Sequence, residues 1–76
     1  MNIYDYVDQY IENFVDDLRK NGGEILKSEI YERFTERYPT FTCGIFDRKG
    51  LENYLISEVG YYSGVKVIGD GEWVIN

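Results

Sequence analysis

The sequence predicts a small α+β domain: three short helices followed by a C-terminal β-hairpin. Three observations carry this reading. A 3.6-residue apolar repeat runs through residues 3–20 of the 76-residue chain. Two more helical stretches are punctuated by Pro39 and Asp47, which suit a helix end and a helix start. The last twelve residues, "VKVIGDGEWVIN", alternate apolar and polar on either side of a glycine turn.

In the first segment Ile3, Val7, Tyr10, Ile11, Phe14 and Leu18 fall on one helical face. Asp5, Asp8, Glu12 and Asp16 recur on the opposite face. Arg19 and Lys20 suit the negative C-terminal end of a helix over 3–20. "NGG" (residues 21–23) stops it, because Asn and Gly tolerate the left-handed backbone of a C-cap. "EIL" (24–26) is the length of a brief strand. Ser28 is placed as an N-cap for a second helix, whose inner face is Ile30, Tyr31, Phe34 and Tyr38. Glu29, Glu32, Arg33 and Glu36 lie opposite, and Pro39 ends the helix.

"TFTCGIF" (40–46) reads as a turn with room for one helical turn of its own. Asp47 is the expected N-cap of a third helix over 48–59, with Leu51, Tyr54, Leu55 and Val59 inward and Gly60 as its stop. Gly50 weakens its first turn. In the closing hairpin Val65, Val67, Trp73 and Ile75 share one face, and Lys66, Glu72 and Val74 share the other. "GDG" (69–71) supplies the turn. There, Asp70 and Glu72 leave Lys66 as the only basic residue, so the hairpin's main task is to close the core, with Trp73 as the plug.

This order (helix, short strand, helix, turn, helix, hairpin) resembles a winged helix-turn-helix domain over nearly the whole chain. The ending "VKVIGDGEW" is similar to the closing hairpin of the HARE-HTH winged-helix domains, including that of the bacterial RNA polymerase delta subunit. That resemblance implies a hairpin ending in a Trp packed on the helices, and a single winged-helix domain over 1–76. Such folds host many functions, so the role has to be read from the site.

Composition sets the first limits. A chain this short buries only ~60% of the surface its unfolded form exposes, so eight Tyr, four Phe and one Trp must supply an efficient core. Cys43 is the single cysteine, which rules out an internal disulfide and suits a reducing, cytoplasmic setting. No apolar run approaches the ~20 residues of a membrane span, and residues 1–20 carry no signal-peptide pattern. There is no His, no second Cys, no G-x-S-x-G elbow and no phosphate loop. The sequence therefore predicts a non-enzymatic protein with no catalytic residue, no cofactor and no metal.

Charge narrows the partner. The net charge is −6, from 14 acidic and 8 basic residues. Residues 1–20 hold Asp5, Asp8, Glu12, Asp16 and Asp17 against Arg19 and Lys20, a net of −3 and half of the excess. An acidic stripe of this kind suits a basic partner, or imitates a row of phosphates. Tyrosines outside the core stripes are favoured at interfaces. The expected role is a protein-interaction module, with Tyr4, Asp5, Asp8, Glu12, Asp16, Tyr61 and Tyr62 as its candidate contacts and a homodimer as one form of partnership. The alternative is a DNA-binding regulator that uses helix 48–59 and the hairpin. There Arg48, Lys49 and Lys66 would meet phosphates, with Lys27 in support, and Asn53 would read a base. Glu52 stands against that reading, and so does Ile56, expected on the exposed face.

Overall fold

The computed structural model describes residues 3–42, 44 and 46–69. The side chain of Ile3, Cys43, and the 70–76 segment with Asp70, Glu72, Trp73, Val74 and Ile75 lie outside the described residues. So does the second strand expected for the hairpin.

The elements run α1 (Ile3–Lys20), β1 (Glu24–Leu26), α2 (Ile30–Arg37), α3 (Arg48–Tyr61) and β2 (Lys66–Ile68). Short 3₁₀ turns at Lys27–Glu29 and Pro39–Thr42 lead into and out of α2. The fold is a compact α+β arrangement, three helices with a small two-stranded sheet.

α1 has the expected bounds, and the capping chemistry explains its end. The N–H groups of Asn21 and Gly23 both donate to the Leu18 carbonyl, at 3.0 and 2.7 Å. Asn21 Nδ2 donates to the Asp17 carbonyl at 2.8 Å. Gly22 and Gly23 take φ +108° and +76°, the left-handed region that closes a helix cheaply only with glycine. α2 stops at Pro39 as expected, its last N–H bond running from Tyr38 to the Phe34 carbonyl at 2.9 Å. Asp47 caps α3, its Oδ2 accepting the Gly50 N–H at 2.9 Å.

Three local expectations are corrected. Ser28 is not a cap: it sits inside the 3₁₀ turn, and Leu26 and Glu29 flank the helical starts without side-chain cap bonds. α3 runs past Gly60 to Tyr61, since a lone glycine slows a helix without stopping it. The 40–46 turn holds its helical turn slightly earlier, at Pro39–Thr42.

The sheet differs most. β2 pairs in parallel with β1, with Glu24 opposite Lys66, Ile25 opposite Val67 and Leu26 opposite Ile68. Among the described residues β2's partner is thus the distant "EIL" segment, not a neighbouring hairpin strand. A parallel pair needs a long crossover, which the intervening α2 and α3 provide. The close approach depends on Gly23. A Cβ there would stand 2.5 Å from the Gly64 carbonyl oxygen, while the Lys66 N–H donates to the Gly23 carbonyl at 2.7 Å.

One apolar cluster holds all of this together: Val7, Ile11, Phe14, Val15 and Leu18 of α1, Ile25 of β1, Ile30 and Phe34 of α2, Phe41, and Leu51, Leu55 and Val59 of α3. Full burial of each such side chain is worth about 1.5–3 kcal/mol. Phe41 joins from a turn. It lies edge-on to Tyr10 and Phe46 and tilted against Phe34, with ring centroids 5.2–5.4 Å apart, a spacing that adds to burial. The buried Thr35 hydroxyl is satisfied by the Tyr31 carbonyl at 2.8 Å.

Candidate functional site

The acidic residues of α1 do not form the single solvated stripe that the sequence suggests. At about 100° per residue, Asp5, Glu12 and Asp16 share one line along the helix, and all three are exposed. Asp8 leans away from that line toward α3 and is half-buried. There it accepts a hydrogen bond from the Tyr54 hydroxyl at 2.5 Å.

α3 adds to the same face. Tyr54, Glu58 and Tyr62 follow one another at four-residue spacing, so they stack along one side of the helix and just past its end. The phenol of Tyr54 is held well above the usual tyrosine range. Burial is the main cause, followed by its hydrogen bond to Asp8 and the negative charges of Asp8, Glu58 and Asp5. Tyr62 is raised as well, by burial and then by Glu12, Asp8 and Glu58, with Arg19 opposing. Burial is thus the main cause for both phenols, and four carboxylates from two helices (Asp5, Asp8, Glu12 and Glu58) add to it. Sequence reading missed Glu58 and Tyr54 here. Their i,i+4 spacing was visible, but their proximity to Asp8 is a tertiary fact.

The tyrosine candidates separate into two kinds. Tyr4 is not a free contact: it stacks on Tyr54 with centroids 4.4 Å apart and planes 26° from parallel. It passes close over α3 at Gly50, where a Cβ would stand 3.3 Å from its hydroxyl. A side chain at position 50 would press on that hydroxyl. Tyr62 is half-buried, with the Arg19 guanidinium 6.0 Å from its ring centroid. Tyr61 is 83% exposed and Tyr6 48% exposed. Tyr61 sits at the end of α3, next to Tyr62 and three residues beyond Glu58, while Tyr6 packs against Tyr10 and Phe41 elsewhere on α1.

The basic candidates are dispersed. Lys49 and Asn53 do meet, in a shallow cleft of about 400 Å³ that they share with Lys27, Ser28, Glu52 and Ile56. Glu52 brings a negative charge into that cleft. Ile56 is packed against the core rather than fully exposed, which corrects its assignment as a surface residue. Arg48 lies over the Tyr31 ring, 4.6 Å from its centroid. Lys66 lines a different groove with Gly22, Gly23, Glu24, Gly64 and Val65, and faces Glu24 across the strand pair. The expected row of phosphate contacts is thus split among an aromatic contact and two clefts, each cleft with a carboxylate of its own.

Among the described residues, no group of three His, Cys, Asp or Glu side chains is placed to hold a metal ion. No helix among them is long and apolar enough to cross a membrane. The chain matches no protein-family model, no curated protein and no solved structure.

Proposed function

We propose that this protein is a non-enzymatic interaction module of winged-helix type that presents an acidic, tyrosine-bearing face to a basic partner protein. The element order supports the winged-helix part: a first helix, a short strand, two helices and a second strand; the parallel pairing of the two strands adds nothing to it. The observation that carries the functional part is the gathering of Asp5, Asp8, Glu12 and Glu58 around Tyr54 and Tyr62, beside the exposed Tyr61.

Carboxylates one helical turn apart stand roughly 5–6 Å from each other. They repel one another, and a surface of Lys and Arg relieves that repulsion and associates faster for it. Tyr61 offers a large ring at small entropic cost, the kind of residue that anchors an interface. A basic groove that normally grips phosphates is one surface such a face fits.

The test is charge reversal at exposed positions that the fold does not use. Asp5→Lys with Glu12→Lys should weaken partner binding at least tenfold, about 1.4 kcal/mol or more, with the fold retained and only a small loss of thermal stability, since Asp5 lies in the first turn of α1. Binding that survives the double change overturns the proposal. Asp8 is unsuitable for this purpose because it holds Tyr54.

The DNA-binding reading draws its support from the meeting of Lys27, Lys49 and Asn53 in one cleft. It requires duplex affinity that falls steeply with salt and is abolished by Lys49→Glu. No duplex binding at ~50 mM salt sinks it.

A further inference from the structure

Arg19 stands where the acidic face meets the strand pair. From the last turn of α1 its Nε donates to the Ser63 carbonyl at 2.8 Å. Its Nη1 pairs with Asp16 at 3.2 Å, and its guanidinium lies over Tyr62. Gly64 makes room for it: φ is +81°, and a Cβ would stand 3.2 Å from Arg19 Nε. The same Gly64 turns its carbonyl onto Gly23, whose own carbonyl accepts the Lys66 N–H. One side chain thus pins the segment that delivers β2 to β1.

We propose that Arg19 is a displaceable latch. A cation from the basic partner takes its place on Asp16 and Tyr62, frees residues 62–64, and loosens the β1–β2 pairing. The displacement rests on the proposed function; the latch does not. Three features make it workable. Arg19 and Asp16 are exposed, with 39% and 61% of their side chains accessible, and exposed ion pairs are weak and screened by salt. A three-residue parallel pair is marginal by itself and depends on what holds its ends. The partner's cation would also find the arrangement Arg19 already uses, a carboxylate beside a tyrosine ring, which suits guanidinium better than ammonium.

Amide hydrogen exchange on the full chain tests it, with the Lys66 amide as reporter and the Leu55 amide in α3 as reference for global opening. Arg19→Ala should speed Lys66 exchange roughly tenfold relative to Leu55, and Arg19→Lys should fall between it and the parent. A Lys66-to-Leu55 ratio unchanged in both variants overturns the latch; Arg19→Lys decides this by itself if Arg19→Ala does not fold. Deca-arginine peptide should then speed Lys66 exchange in the parent and leave Arg19→Ala or Arg19→Lys much less affected. A peptide that binds and leaves Lys66 exchange unchanged, or slows it, overturns the displacement while the proposed function stands. A peptide that does not bind overturns both the displacement and the proposed function, and the latch is still decided by the variants alone.

Discussion

At Gly23 there is no room for a side chain. Its φ of +76° is costly for any L-residue, and a Cβ would press on the Gly64 carbonyl at 2.5 Å. Gly23→Ala should cost about 2–3 kcal/mol in urea unfolding, the sum of backbone strain and a backbone clash that cannot relax. Gly22, with φ +108° but open space around it, should cost about 1–2 kcal/mol when changed to Ala, from backbone strain alone. Equal losses at the two sites would remove the steric argument for the strand pairing. The same scale gives a pH dependence. The Tyr54 phenol is raised above its unfolded value of about 10. The folded state therefore holds its proton more tightly than the unfolded state does. That contribution is complete below pH ~10 and is lost as pH rises from there toward the higher folded value. Thermal melts from pH 9 to 11.5 should show a stability decline that Tyr54→Phe makes shallower. An identical slope in the variant contradicts the assignment.

At the scale of elements, the helices were legible in the sequence because their signals are local. "NGG", Pro39 and Asp47 set three boundaries through caps and a missing rotational freedom, and the α3 cap is the bond expected of Asp47. Asp47→Ala should lower stability by about 1 kcal/mol, read from the unfolding midpoint at constant slope; no loss would mean that the cap bond is dispensable. What the sequence did not disclose depends on long-range packing. The three-residue strands are too short to show a period, and nothing in "EIL" or "KVI" names a partner more than forty residues away in the chain. Val15, between Phe14 and Asp16, lies beside the apolar stripe rather than in it, and Phe41 sits in a turn, so neither stood out as core, yet both are buried. Asp8 looked like one acid in a stripe until α3 brought Tyr54 to it. The site was therefore legible in its residue types and only partly in its membership. Asp5, Glu12, Asp16 and Tyr61 stay on the surface, Tyr4 belongs to the packing, and Glu58 joins from a helix read for another role.

At the scale of the whole molecule, the charges of the described residues are unevenly placed. Four carboxylates of α1 and α3 (Asp5, Asp8, Glu12 and Glu58) lie near Tyr54 and Tyr62, while Glu52 lines the mixed cleft and the cations are divided among aromatic contacts, that cleft and a groove beside β1. Three arginines, Arg19, Arg37 and Arg48, each lie over a tyrosine ring of the chain itself, and Arg37 is also paired with Asp17. Three of the eight cations are thus engaged within the chain, and the proposed function assigns the acidic face to a partner. The most direct measurement is a backbone amide shift map of the protein against two ligands at ~50 mM salt, deca-arginine peptide and a duplex of about 20 base pairs. Peptide-induced shifts should centre on Asp5, Glu12, Glu58 and Tyr61 and be abolished by Asp5→Lys with Glu12→Lys, and duplex should cause none. Shifts centred on Lys27, Lys49 and Asn53 with duplex, and none on the acidic face with peptide, would contradict the proposed function.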